Sequence, residues 1–301
     1  MRLTQIRDFL AIAEQGSIRT AARSLGVSQP AMTKSVQQLE KELQAQLLHR
    51  TSRGAVPTRT GKAFLVRARV IQAELRKARE DLAQLRGEHG GAVAIGVSPT
   101  ASVLLVPEAL LLLRQRRPLC SIHVMEGVWS SLQPLVRDER LDLAIVLRTP
   151  DAKLDPAVRF KPLYRARMVI AGRRGHPLRG ASSLRQLAPA SWLMFGPPGH
   201  TALLAQYFTA AGLPPPAVNI QCESYAAALA LLTRTDTLGL IVPQLLTEPH
   251  THGFLQPLNV DEPPPEVTVG MLSRADAPLA PAANAMARAI TAAAQRLVRM
   301  P

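Results

Sequence analysis

Gln29, Pro30, Thr33, Lys34 and Gln37 fall on one side of a helical spacing, and Met32, Val36, Leu39 and Leu43 repeat at intervals of 4, 3 and 4 on the other. Amides, a hydroxyl and an ammonium gathered on one helix face suit the major groove of DNA. There Gln pairs with adenine edges, Thr touches a methyl or a phosphate, and Lys reaches guanine or phosphate. Just beyond, HRTSRGAVPTRTG carries Arg50 and Arg53 among turn residues. That pattern predicts a short β-wing with Arg53 at its tip, where a narrow minor groove attracts arginine. Thr58 is placed to donate to a phosphate. Arg19 and the cap residue Ser28 complete the expected DNA-facing set.

A second collection lies in the longer carboxy-terminal part. Apolar strand patterns there end at Ser98, Pro99, Thr100 and Ser102, at Trp129, at Arg148, at Phe195, Gly196, His200 and Thr201, and at Ser224. Open α/β sheets bind ligands beyond the carboxyl ends of their strands, and hydroxyls with free N–H groups at helix starts favour anions. Arg148 would supply charge, and Trp129 or Phe195 a flat apolar wall. The expected effector is a small organic anion of aromatic type. Catalysis finds less support: no GxSxG, HExxH or phosphate-loop sequence occurs, and the seven histidines show no metal-ligand spacing. No cofactor is expected. Cys120 and Cys222, the two cysteines, are read as packed thiols.

The elements that must position these residues are legible from periodicity. Leu3, Ile6, Phe9, Leu10, Ile12 and Ala13 mark an amphipathic helix over residues 3–15. Gly16 and Ser17 separate it from a helix over 18–25, and Gly26 turns the chain into the Ser28-capped helix ending near Leu43. Two helices joined by a short Gly-containing turn form a helix-turn-helix. Phe64, Ala68, Ile71, Leu75, Ala78, Leu82 and Leu85 then alternate at 4 and 3, the seam of a helix that pairs with a second copy.

From Ala92 onward strands and helices alternate, which predicts two α/β lobes with largely parallel sheets and a return strand. The expected boundaries are 1–59 for the winged helix-turn-helix, 60–87 for the linker helix and 92–301 for the effector domain. Within the last, lobe I would take 92–161 and 267–301, and lobe II 162–266.

AARSLGVSQPAMTKSVQQLEKEL, followed by LLHRTSRGAVPTRTG, resembles the DNA-binding domain of LysR-type transcriptional regulators, and LDLAI, HPL and GLIVP extend the likeness over the whole chain. SPTASV and MEGVWSSLQPLVRD are similar to the subgroup that answers to aromatic sulfonates. The resemblance implies a periplasmic-binding-protein-like effector domain, and Gln29, Pro30, Thr33 and Lys34 at the DNA, with Arg50 and Arg53 in the wing. It also implies operator DNA and a small molecule as partners, dimers through the linker helix, a tetramer, and RNA polymerase as a further partner.

Composition is consistent with this. Lys and Arg number 36 against 22 Asp and Glu, a net +14 in 301 residues. The first 90 residues hold 16 basic and 8 acidic groups, so positive charge is about threefold denser there than in the remainder. A chain that is 47% hydrophobic is too apolar for disorder. Its amino terminus lacks a secretory pattern and its apolar runs are too short to span a membrane, so a cytoplasmic protein is expected. Two other functions remain open at this point: an enzyme using the two-lobed cleft, and a protein that binds DNA without regard to sequence.

Overall fold

A computed structural model describes residues 1–51, 54–87, 90–249 and 251–299. The chain forms two compact units, one comprising Met1–Glu88 and Asp138–Arg140, the other His89–Arg137 and Leu141–Pro301.

In the first unit α1 (Leu3–Gln15), α2 (Ile18–Ser24) and α3 (Gln29–Glu42) enclose Phe9, Ile12, Ala21, Met32, Val36 and Leu39, all buried. Gly16 closes α1 in the left-handed conformation, at φ 67°. The Ser17 hydroxyl then accepts from the Thr20 amide at 3.3 Å, and Ser28 does the same for Ala31 at the start of α3. Pro30 sits in the first turn of α3, where its missing N–H costs nothing.

The antiparallel hairpin of β1 (Leu48–Thr51) and β2 (Gly54–Pro57) is held to this core from both strands. Glu40 Oε1 accepts the amides of Leu47 and Leu48 at 2.8 and 3.1 Å. Ala55 donates its amide to the Gly16 carbonyl at 2.8 Å. Gly54, at φ 136°, packs so closely that a Cβ would collide with that carbonyl oxygen. The long helix α4 (Arg59–Leu85) follows, 27 residues and about 40 Å at 1.5 Å per residue.

The second unit runs β3 (Ala92–Val97), α5 (Pro99–Leu104), α6 (Val106–Arg116), β4 (Ser121–Glu126), α7 (Trp129–Arg137), β5 (Leu143–Arg148) and β6 (Val158–Arg167). It continues with β7 (Val169–Arg173), α8 (Leu184–Leu187), β8 (Ser191–Phe195), α9 (Ala202–Ala210), β9 (Val218–Cys222), α10 (Tyr225–Arg234) and β10 (Thr237–Ile241). A 3-10 turn (Pro243–Leu246), β11 (Leu255–Leu258), β12 (Glu266–Arg274) and α11 (Pro281–Arg299) complete it.

The strands form two sheets, ordered β4-β3-β5-β12-β6 and β11-β7-β10-β8-β9. In each, three strands pair in parallel and one opposed strand, β12 or β7, pairs antiparallel on both sides, so the edge strand β6 or β11 runs in the same direction as the three. Strand β5 shows why its sequence reads as continuously apolar. Leu143 and Ile145 enter the cluster beneath α6 and α11, whereas Ala144 and Val146 pack toward α7, so both faces are covered.

One expectation about this unit is corrected. Residues 162–167 belong to the first lobe, because β6 stays paired with β12 through Arg167, opposite Glu266. Pro162 looks like a strand terminator because it lacks an N–H. It is tolerated because β6 is an edge strand and the register shifts between Val269 and Gly270. The first crossing between lobes is therefore at Met168, whose amide donates to the Pro265 carbonyl at 2.9 Å beside the second crossing. The apolar stretch over 103–115 is not one helix: α5 and α6 are separate, broken at Leu105, two residues before Pro107.

Candidate nucleic-acid interface and effector cavity

On α3 the two faces separate as their side chains require. Gln29, Pro30, Lys34 and Gln37 are exposed and Thr33 is half-buried, while Met32, Val36 and Leu39 are fully enclosed. Arg19 on α2 and Arg50 on β1 are also exposed. Arg53 lies outside the described residues. Ser28 is exposed and spends one acceptor on its helix cap.

Thr58 departs from expectation. It is 8% exposed, its hydroxyl donates to the Gln46 carbonyl at 2.7 Å, and it accepts from the Gly61 amide at 2.8 Å. With both roles filled it caps α4, and it is not a phosphate donor. Sequence reasoning also missed Asp8, which is buried and accepts from the Ser35 hydroxyl at 2.6 Å, tying α1 to α3. An acidic residue set between the apolar positions Ile6 and Phe9 of a helix pattern is the available signal.

The heptad seam divides in two. Ala68 is fully buried and Phe64 and Ile71 pack with it into the first unit's own core, where Phe64 meets Phe9 at 5.4 Å between centroids. Those three are corrected from partner-facing to intrachain. Leu75 is half-buried, whereas Ala78, Leu82 and Leu85 are exposed, the last two at 58% and 84%. Periodicity places all seven on one stripe and cannot say what each covers.

Between the two sheets of the second unit lies a cavity of about 500 Å³. Six expected residues line it: Ser98, Pro99, Thr100, Trp129, Phe195 and His200. The other five do not, and each has a local reason. Ser102 donates its hydroxyl to the Pro99 carbonyl at 2.7 Å. Ser224 caps α10 by accepting from Ala227 at 3.4 Å. Thr201 precedes α9 and faces a separate, shallower depression near Pro215 and Gln221. Gly196, at φ 132°, stays behind His200, where a Cβ would meet the imidazole at 2.7 Å.

Arg148 is the most consequential of the five. Side chains alternate along a strand, so with Leu147 and Thr149 in the cavity wall Arg148 points away. Its guanidinium lies 5.5 Å from the Trp129 ring centroid and 5.2 Å from that of Phe160, and it donates to the Ala152 carbonyl at 3.3 Å.

Most of the lining was not singled out from sequence. Met168, Leu193, Leu203, Leu229, Leu232 and Ile241 give the cavity an apolar character, and Thr149, Gln206 and Tyr225 add uncharged polar groups. Burial holds the His200 imidazole below its ordinary range, so it is neutral at pH 7. Burial, reinforced by the Glu248 and Glu126 carboxylates, pushes the Tyr225 phenol up to about 12. Burial also raises Glu126, at the end of β4.

The chain's sequence matches two family descriptions. Residues 3–62 match "Bacterial regulatory helix-turn-helix protein, lysR family", and residues 86–295 match "LysR substrate binding domain". The chain belongs to the LysR family. Among curated LysR-type relatives, a "SDS degradation transcriptional activation protein" from Pseudomonas sp. (strain ATCC 19151) is 31% identical over 290 residues, covering 94% of each chain. The regulator GalR of Pseudomonas putida is 30% identical, over 94% of this chain and 71% of that one.

The LysR fold is shared with a full-length OxyR from Pseudomonas aeruginosa, at TM-score 0.72 and 21% identity over 96% of this chain and 94% of that one. It is shared also with CbnR solved in complex with its target DNA, at TM-score 0.66 and 19% identity over 97% and 100%. This LysR-type chain is a ligand-responsive, DNA-binding transcriptional regulator with a helix-turn-helix and a two-lobed α/β effector domain. No described helix is long and apolar enough to cross a membrane.

Proposed function

We propose that this regulator senses a small molecule in the cavity between its lobes and reads an operator with the exposed face of α3. The reading rests on one observation above all: a cavity of about 500 Å³ whose wall is contributed by both lobes, beside paired hinge crossings at Met168 and Pro265. A ligand there touches both lobes at once and so favours the closed arrangement, and differential affinity for two arrangements is all that a sensor needs. Closure changes the angle between paired DNA-binding units, and with it DNA bending and promoter output.

Gln29, Thr33, Lys34 and Gln37 are the base-reading side chains, with Pro30, Arg19 and Arg50 against the backbone. Leu75, Ala78, Leu82 and Leu85 join two copies, and a pair of such dimers is the working tetramer, acting in the cytoplasm with RNA polymerase as a further partner. The domain assignment follows: winged helix-turn-helix over 1–59, linker helix over 60–87, effector domain over 92–301. The chain acts by binding and performs no catalysis.

SPTASV and MEGVWSSLQPLVRD resemble the aromatic-sulfonate subgroup, but the described cavity wall offers a sulfonate no cation, so no effector of that class is proposed.

Selection of binding sites from random duplex DNA by the full-length protein tests this reading. A defined, two-fold repeated sequence is expected, lost in Gln29→Ala and Lys34→Ala. Salt-dependent binding without sequence preference would replace it with the alternative of a protein that binds DNA without regard to sequence.

A further inference from the structure

The cavity has a composition that restricts what it can hold. Among the described residues of its wall none is Lys or Arg, and Asp151 is the charged one. Its other hydrogen-bonding side chains, among them Ser98, Thr100, Gln206, His200 and Tyr225, are neutral at pH 7, the last two held so by burial. The cation that sequence reasoning assigned to this site, Arg148, is instead stacked on Trp129 and Phe160. The Glu248 and Glu126 carboxylates add negative charge that Tyr225 feels. An anion taken from water into such a place finds acidic neighbours and no counter-charge, which strongly disfavours it.

The cavity also reaches past the interlobe region. Ala228, Leu229 and Leu232 of α10 line it from one side, Leu193 of β8 with Gly239 and Leu240 of β10 from the other. This inner limb lies within the second lobe, between a helix and the sheet it covers. Hydrocarbon gains free energy in proportion to the apolar area it removes from water, and this limb offers hydrocarbon contacts.

We infer that the effector is an uncharged, predominantly hydrocarbon molecule carrying a hydroxyl or carbonyl group. Its polar group meets the hydroxyls and imidazole near Ser98 and His200, and its apolar body fills the limb beneath α10. The inference rests on the cavity being the effector site, and its test separates the two ideas.

Full-length protein is titrated with 1-decanol, decanoate and naphthalene-2-sulfonate. Readouts are tryptophan fluorescence, to which Trp129 in the wall responds, and the melting temperature. Decanol is expected to bind at least tenfold more tightly than decanoate. Ala228→Phe, or Leu229→Phe if the former fails to fold, fills the limb and is expected to weaken decanol at least tenfold, with operator binding retained.

Thr149→Arg supplies a cation at the wall and is expected to narrow the gap between decanol and decanoate. Either anion binding the unaltered protein as tightly as decanol overturns the inference, as does unaltered decanol affinity in the limb-filled variants. If none of the three binds, the hydrocarbon class is wrong, and a library of sugars, amino acids and aromatic acids decides the rest. A hit there that changes the operator complex keeps the cavity as the sensor; silence removes both ideas.

Discussion

Gln206 Nε2 donates a hydrogen bond to Asp151 Oδ2 at 2.8 Å, joining α9 of the second lobe to the loop that follows β5 of the first. Both residues line the cavity. The bond therefore exists only when the lobes are close, and it is a direct contributor to the closed arrangement. Both partners are exposed, so its net worth is modest. Gln206→Ala is expected to weaken effector binding roughly two- to fivefold by depopulating the closed form. Isothermal titration of effector into variant and parent checks this. An unchanged affinity would show that closure is set elsewhere.

Lys34→Ala and Thr58→Ala are expected to behave in opposite ways although both residues sit in the DNA-binding unit. Lys34 is exposed on the outer face of α3, the face proposed to read DNA. Its loss should weaken operator binding by about 1–3 kcal/mol if it reads a base, or lower the salt slope by about 1 if it meets a phosphate. Thr58 caps α4, so its alanine variant should lose about 1 kcal/mol of stability with no change in salt slope. Binding isotherms at several salt concentrations, set beside denaturant melts, distinguish the two.

The divided seam makes a similar contrast. Leu82→Arg and Leu85→Arg place charge on exposed positions of α4 and should shift the mass in solution toward monomer without lowering the melting temperature. Phe64→Ala removes an aromatic contact from the chain's own core and should cost about 2 kcal/mol, less than a fully buried ring would because the residue is half-buried. Light scattering and thermal melts report the two effects separately. Loss of oligomer in Phe64→Ala without loss of stability would reverse the assignment.

His200 is expected to give ligand binding in the cavity a pH dependence. Its folded-state affinity for protons lies below the ordinary 6.5, because burial penalises the charged ring. The unfolded chain thus takes up its proton first as pH falls. The contribution to stability is complete above about 6.5 and is lost progressively as pH drops toward the lower folded value. A ligand that excludes water from the ring sharpens the preference for neutral imidazole. Effector affinity should therefore fall between pH 7 and pH 5 in the parent, and the fall should be shallower in His200→Gln. Parallel profiles would assign the pH dependence to another group.

The amino-terminal unit was legible almost residue by residue, because its order is local. Capping serines, Gly16, Pro30 and the 4-3-4 stripe of α3 act within one or two helical turns, so their spacing alone settles which face is buried and which is left exposed. Strand patterns likewise announced the two-lobed α/β architecture. Decisions that depended on distant neighbours were not legible. Whether Phe64, Ala68 and Ile71 meet a partner or their own core depends on α1 approaching α4. Arg148 follows a strand as a ligand-binding residue would, yet the two-residue alternation of β5 and the rings of Trp129 and Phe160 turn it away. The apolar limb is built by α10, β8 and β10, which are well separated in sequence and adjacent only across the sheet. By itself the sequence determined what kind of surface each helix and strand must bury, because periodicity is a property of the backbone. Only the tertiary structure decided which polar groups were left over to meet a ligand, because a side chain already held by its neighbours has no bond to offer.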